Sequence, residues 1–285
     1  MILLRLIAVF PAWMISVLSV ILYGIVWPFI DRDRKVAIQN IEHILGLTHE
    51  QAIVLCRKVL LSQFVVYCDT LRYVFFPQRV TFEGFEEFGT MVRHAEEASK
   101  GRGLVIITAH LGSWELAGHF AAMSLRKRFF VLAKPSKTKW INPILEKIRH
   151  LLKMPVLWTD ARSLVKDMLG ALERGDSLGF VMDQKPGKMG KGISCTFMGV
   201  PHTPVVSGPA TMIARKDCGA LAVYCVRIGL GRYRLAVQEI LSMGHGLKDE
   251  VVITARLVQN MEHAIRESPE QWAWNYKRWK LPRTI

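Results

Sequence analysis

Cysteine is sparse and unpatterned in this chain. Cys56, Cys68, Cys195, Cys218 and Cys225 are scattered, odd in number and without C-x-x-C spacing, so neither a disulfide framework nor a zinc site is implied. Acidic residues are the minority charge: 24 Asp and Glu stand against 38 Lys and Arg, a formal charge of +14, and the pI is near 9.8. That excess attracts anionic membrane, nucleic acid or an acidic protein partner without choosing among them. No recognised nucleic-acid-binding motif accompanies it, so nucleic acid is not expected as a partner. With 51% hydrophobic residues among 285, disorder is excluded and there is material for the core of one large domain or two small ones.

Charge is absent altogether from Leu6 to Ile30. Such a run is long enough, at ~1.5 Å per residue, to cross a ~30 Å hydrocarbon core. It predicts a membrane helix over 1–30. It is too long for a signal-peptide core, and no small-residue cleavage site follows at Trp27-Pro28-Phe29-Ile30. Arg32, Arg34 and Lys35 come next, and by the positive-inside rule they assign the rest of the chain to the cytoplasm. A shorter helix lying in the headgroup plane, bounded by Pro11 and Pro28, is the competing reading.

From Asp31 to Phe82 the apolar positions recur at helical spacing, predicting a helical brace over 31–82. The stretch between Phe82 and Gly103 is polar and acidic. Beyond it, apolar runs read as strands at Leu104–Thr108, Phe129–Ala133, Val156–Trp158, Leu178–Met182 and Ala220–Val226. Helical patterns lie between them at Trp114–Leu125, Trp140–Leu152, Ser163–Glu173 and Val206–Arg215. This alternation predicts an α/β fold, a layered mixed sheet over 83–285 with helices on both faces. In such sheets sites gather at the carboxyl ends of strands.

Three strand ends carry reactive residues. His110 and Glu115, in HLGSWE, follow the first strand across a turn; a histidine and a carboxylate there form a base and its orienter for taking a hydroxyl proton. The competing reading is a helix start capped by Ser113. Asp183 follows the fourth strand in GFVMDQKPGKMGKG, with Gln184, Lys185, Lys188 and Lys191 forming a basic loop suited to phosphate or an acidic carrier. Lys134 ends the second strand, and Arg149 on the next helix can also neutralise phosphate. Gly175-Asp176-Ser177-Leu178-Gly179 fits the G-x-S-x-G pattern of a hydrolase elbow, but a helix precedes it and a strand follows, the reverse of an elbow. An esterase using Ser177 is therefore a remote alternative.

Together, HLGSWE, the Lys134 strand end with Asn142-Pro143 and Arg149, the DQK loop followed by FMGVPHTPVVSGPATMIAR, and PEQWAWNYKRWK resemble the lipid A late acyltransferases, within the wider glycerolipid acyltransferase fold. The resemblance implies acyl transfer from an acyl carrier protein thioester to a hydroxyl of a Kdo-bearing lipid A precursor, an anionic glycolipid. It implies a location at the bacterial inner membrane, single-pass, with the catalytic domain cytoplasmic. His110 matches the general base, Glu115 its partner, and Asp183 the acidic strand-end residue. Lys134, Arg149, Asp183, Gln184 and Lys185 are the expected substrate-binding residues, with Lys153 an alternative to Arg149. No metal or cofactor is expected, the acyl thioester being a co-substrate. Backbone amides at Gly112 to Trp114 are candidate oxyanion donors. Acyl-CoA as donor, with another glycolipid or a lysophospholipid as acceptor, stays open. Trp272, Trp274 and Trp279, with Lys277, Arg278 and Lys280, suit either the headgroup boundary or packing on the core, and Gln271–Trp279 reads in places as a strand.

Overall fold

The computed structural model describes residues 2–136, 138–187 and 192–279. The uncharged N-terminal run is not one helix. Pro11 has no N–H to continue a helical ladder, and the chain divides into α1 (Ile2–Val9) and α2 (Ala12–Val26). The latter, at about 22 Å, falls short of a hydrocarbon core. Next come α3 (Asp31–Leu45) and α4 (His49–Phe75). Gly46, in the left-handed region at φ 65°, ends α3, and a capping box between Thr48 and Gln51 starts α4. Among the described residues, α4 is the one helix long and apolar enough by itself to cross a membrane. α2 and α3 meet that test only as a pair, bent by 106°.

A short strand β1 (Thr81–Glu83) and helix α5 (Phe85–Ala98) precede the alternating region. α5 forms within the acidic stretch because Phe88 and Val92, one turn apart, bury against the sheet. Then follow β2 (Val105–Thr108), α6 (Trp114–Ser124), β3 (Phe129–Ala133), α7 (Asn142–Leu151), β4 (Val156–Trp158), α8 (Leu164–Glu173) and β5 (Ser177–Val181). A hairpin of β6 (Gly192–Phe197) and β7 (Val200–Val206) leads to α9 (Gly208–Lys216), β8 (Ala220–Gly229), β9 (Arg232–Leu241) and α10 (Glu250–Glu267). Seven strands form one sheet in the order β1-β9-β8-β2-β5-β3-β4, parallel except where β9 runs antiparallel to β8.

The period of two along a strand assigns its side chains to opposite faces. Val105 and Ile107 join one core with residues of α3, α8, α9 and α10. Leu104 and Ile106 join the other, with residues of α5, α6 and α7. Thus the helix after β2 (α6) and the helix that follows β5 and its hairpin (α9) lie on opposite faces, and a crevice opens between the carboxyl ends of those two strands.

Gln271–Trp279 is not a strand. After a single 3-10 turn at Pro269–Gln271 it makes one isolated bridge, Trp272 with Leu111, and then a turn. Its indoles do not lie at a headgroup boundary either: Trp272, Trp274, Trp279 and Arg278 are all buried. Arg278 stacks its guanidinium 4.4 Å from the Phe197 ring centre, and burial brings its pKa down to about 10 against the opposing pull of Asp183. Lys280 lies outside the described residues.

Candidate active site

Sheet register alone brings the two key residues together. Thr108 of β2 is paired with Val181 of β5, and two residues further along each strand stand His110 and Asp183. Asp183 Oδ1 lies 2.7 Å from His110 Nδ1. Its Oδ2 accepts the His110 backbone N–H at 3.1 Å and the Trp272 indole N–H at 2.8 Å. An ionised carboxylate only accepts, so Nδ1 carries the ring proton and Nε2 is the basic nitrogen. Asp183 is 3% exposed, whereas the imidazole keeps 23% of its surface open.

Burial alone would lift the Asp183 carboxyl, but the His110 charge and its donors outweigh this and hold the carboxyl below the usual carboxylate range. Burial would likewise depress His110, but Asp183, assisted by the negative charge of Glu115, raises it above its ordinary value.

The turn is built by close approach. Gly112 takes φ 55°, and a Cβ there would stand 2.3 Å from the Cys225 carbonyl oxygen of β8, so only glycine fits. The Gly112 amide donates to Gln271 O and the Ser113 amide to Cys225 O. These two expected oxyanion donors are therefore already engaged. Ser113 occupies the N-cap position of α6 but makes no capping bond; its hydroxyl meets that of Thr70 on α4 at 2.9 Å.

Glu115 is not the hydrogen-bonded partner of His110. Spacing brings it onto the first turn of α6, where Arg149 of α7 claims it through Nη2 at 2.7 Å and Nε at 3.2 Å to each oxygen. Of the two basic residues considered, Arg149 is the one that meets Glu115, while Lys153 is exposed beyond the end of α7. Glu115 and Arg149 rim an apolar pocket lined by Ile106, Val131, Leu132, Val181 and Val223, with Gly118 in its wall. Trp114, also in the lining, sets its ring edge-on to His110 at 4.9 Å.

Lys134 is exposed at the end of β3, its Nζ reaching within 4.0 Å of where a side chain on Gly187 would begin. It thus borders the loop that carries half-buried Gln184 and Lys185. Lys188 and Lys191 lie outside the described residues. Ser177 stands at the opposite, amino-terminal end of the sheet, buried, its Oγ accepting the Leu104 amide at 3.1 Å. That is a structural hydroxyl, which removes the basis for an esterase. Among the described residues no group of three or more His, Cys, Asp or Glu side chains is arranged to hold a metal. The contact that sequence reasoning missed is that of Trp272 with Asp183. The signal for Trp272 lay in PEQWAW, but nothing local links it to an aspartate 89 positions earlier.

A parallel-rich α/β sheet with a histidine–aspartate pair at its carboxyl edge, beside an apolar pocket, defines a protein equipped for general-base chemistry near an apolar group. The chain belongs to the bacterial lipid A biosynthesis acyltransferase family, whose profile it matches over residues 1–281. It is 24% identical over 182 residues to the lipid A biosynthesis palmitoleoyltransferase of Escherichia coli (strain K12), and equally to the lipid A biosynthesis acyltransferase of Shigella flexneri. Each match takes in 64% of this chain and 57% of the relative's length.

Proposed function

We propose that this protein transfers a fatty acyl group from an acyl carrier protein thioester to a hydroxyl of a Kdo-bearing lipid A precursor at the inner membrane. The observation that carries the reading is the His110–Asp183 pair, with Nδ1 committed to the carboxylate and Nε2 left as base. Nε2 takes the proton of the acceptor hydroxyl as its oxygen attacks the thioester carbonyl, and Asp183 stabilises the imidazolium. Collapse of the tetrahedral intermediate expels the thiolate, which receives the proton back from His110, leaving an ester and a free carrier thiol. Donors for the oxyanion come from the first turn of α6 beyond Ser113, whose amides have no acceptor within their own helix. Lys134, Gln184, Lys185 and Arg149 attract the anionic acceptor, and the apolar pocket takes the acyl chain near its carbonyl end. Glu115 acts as the anchor of Arg149 and as a negative field on His110.

Membrane association is supported by the exposed apolar side chains of the first two helices and their junction with α3, among them Leu6, Trp13, Val17, Val20, Ile25 and Phe29, followed by the basic Arg32, Arg34 and Lys35. With the run broken at Pro11, these helices dip into one leaflet from the cytoplasmic side. The test is mass spectrometry of the purified protein with acyl carrier protein thioesters and a tetra-acylated, Kdo-bearing precursor. A gain of one acyl group, lost in His110→Ala, is expected. Transfer only to a lysophospholipid, or only from acyl-CoA, would reject the substrates named here, and near-normal turnover in His110→Ala would reject the base.

A further inference from the structure

The carboxylate of Asp183 has two equivalent oxygens, and its usefulness to His110 depends on which donors hold which. The donors are segregated: the His110 amide and the Trp272 indole share Oδ2, leaving Oδ1 for the imidazole. We propose that Trp272 is a positioning residue of the reaction, its indole N–H locking Oδ2 so that Oδ1 stays aimed at His110 Nδ1. The proposal rests on the reading of His110 as base.

The C-terminal segment is mounted for this task. The side chain of Gln271 grips the backbone of Arg227 on β8 from both sides, accepting its N–H at 2.8 Å and donating to its carbonyl at 2.9 Å. The Ala273 amide donates to His110 O at 3.1 Å, and Gln271 O accepts the Gly112 amide at 3.1 Å. Residues 271–273 therefore hold the His110 turn through its backbone while Trp272 holds Asp183 through its side chain. The indole itself is wedged against Trp274 and Phe197, with ring centres 4.6 and 6.0 Å away. A buried indole N–H needs some acceptor, and Trp274 meets that need with the Pro269 carbonyl, 2.7 Å away. Trp272 instead ends on the one carboxylate that serves the base.

Trp274 thereby supplies the control. Trp272→Phe keeps an aromatic ring but frees the carboxylate to turn and share Oδ1 with the His110 amide. The imidazolium then loses part of its support. We expect kcat to fall about tenfold with KM little changed, the scale of one hydrogen bond to a charged group. The acid limb of the rate profile, and the His110 titration followed by NMR without substrate, should both move to lower pH. Trp274→Phe, which removes an indole N–H from the same segment, should leave both midpoints in place. Should Trp272→Phe fold poorly, benzothienylalanine at that position keeps the bicyclic shape without the N–H and is read in the same way. Parental kcat and midpoints in the Trp272 variant, or equal displacement in Trp274→Phe, would overturn the proposal. The NMR titration needs no turnover, so failure of His110→Ala to lose activity would reject the base assignment separately.

Discussion

Asp183→Asn is the substitution that most sharply separates the two carboxylates near His110. The buried Asp183 accepts three hydrogen bonds, one on Oδ1 and two on Oδ2. An asparagine has one carbonyl oxygen, and the two donors from the His110 amide and Trp272 retain it. Its NH2 group then faces Nδ1, which becomes an acceptor and passes the ring proton to Nε2. The nitrogen that faces the acceptor hydroxyl is thereby a donor and no longer a base. A wrong-tautomer substitution of this kind costs about 10⁴ in kcat in a serine-protease triad, or about 5.5 kcal/mol of transition-state stabilisation. In Glu115→Gln the amide still accepts from Arg149 and the His110 tautomer is untouched, so the loss should stay near tenfold. Single-turnover acyl transfer from a radiolabelled thioester, run for both variants across about pH 6 to 9, reads the difference. A Glu115→Gln enzyme more impaired than Asp183→Asn would refute the reasoning and return Glu115 to the role its spacing suggests.

Buried His119 bonds Tyr73 OH at 3.0 Å and Leu152 O at 2.9 Å, and burial lowers its pKa. The unfolded chain takes up that proton at the ordinary value and the folded chain resists, so the contribution is present at neutral pH and lost as pH falls below about 6.5. His119→Phe should flatten the fall in Tm between about pH 7 and 5.5, and an unchanged slope would reject it. A Cβ on Gly118 would stand 2.7 Å from the flexible Met154 sulfur. Gly118→Ala should therefore fold and narrow the apolar pocket, moving preference in a thioester series toward shorter or slimmer chains, and an unchanged series would argue against an acyl pocket there. Asn40 donates to the carbonyls of Trp274 and Tyr276 at 2.8 and 3.0 Å; Asn40→Ala leaves both short of a donor and should cost about 1–3 kcal/mol in urea unfolding.

The central strands were legible because they are covered on both faces and read as continuous apolar runs. β3 and β4 match their expected limits, and β2, β5 and β8 differ by a few residues at their ends. β9 was not read: RYRLAVQEIL alternates charged with apolar residues, a half-buried strand whose period is two rather than a solid run. The uncharged N-terminal run has the composition of one span, but Pro11 divides it into two helices. His110 was found because a strand end announces itself locally. Its partner was misread because sequence spacing reports only neighbours along the chain. The contact that matters is set by the register of β2 against β5, 73 residues apart, and register across a parallel pair leaves no local signature. For Trp272 the sequence leaves headgroup boundary and core open; the structure buries it in the core, and its contact with Asp183, 89 positions away, has no local signature for the same reason.

Helix α4 ties these separate features into one mechanical unit. Composition allows it to cross a membrane, but its last turns cannot lie in lipid. Asp69 there is buried with Arg72 at 2.7 Å and accepts the Tyr233 hydroxyl of β9 at 3.0 Å. Such a pair belongs inside the domain, where both charges are met by polar partners, and would be costly in hydrocarbon. The adjacent Thr70 holds Ser113, three residues past His110. Just beyond α4, Arg79 donates to the carbonyls of Ala8 and Val9 at the end of α1, closing the break that Pro11 creates. The exposed apolar surface of the first two helices is therefore fixed by α4 and its exit turn to the turn carrying His110. An acceptor held in the membrane would then meet His110 at a depth set by the fold rather than by a flexible tether.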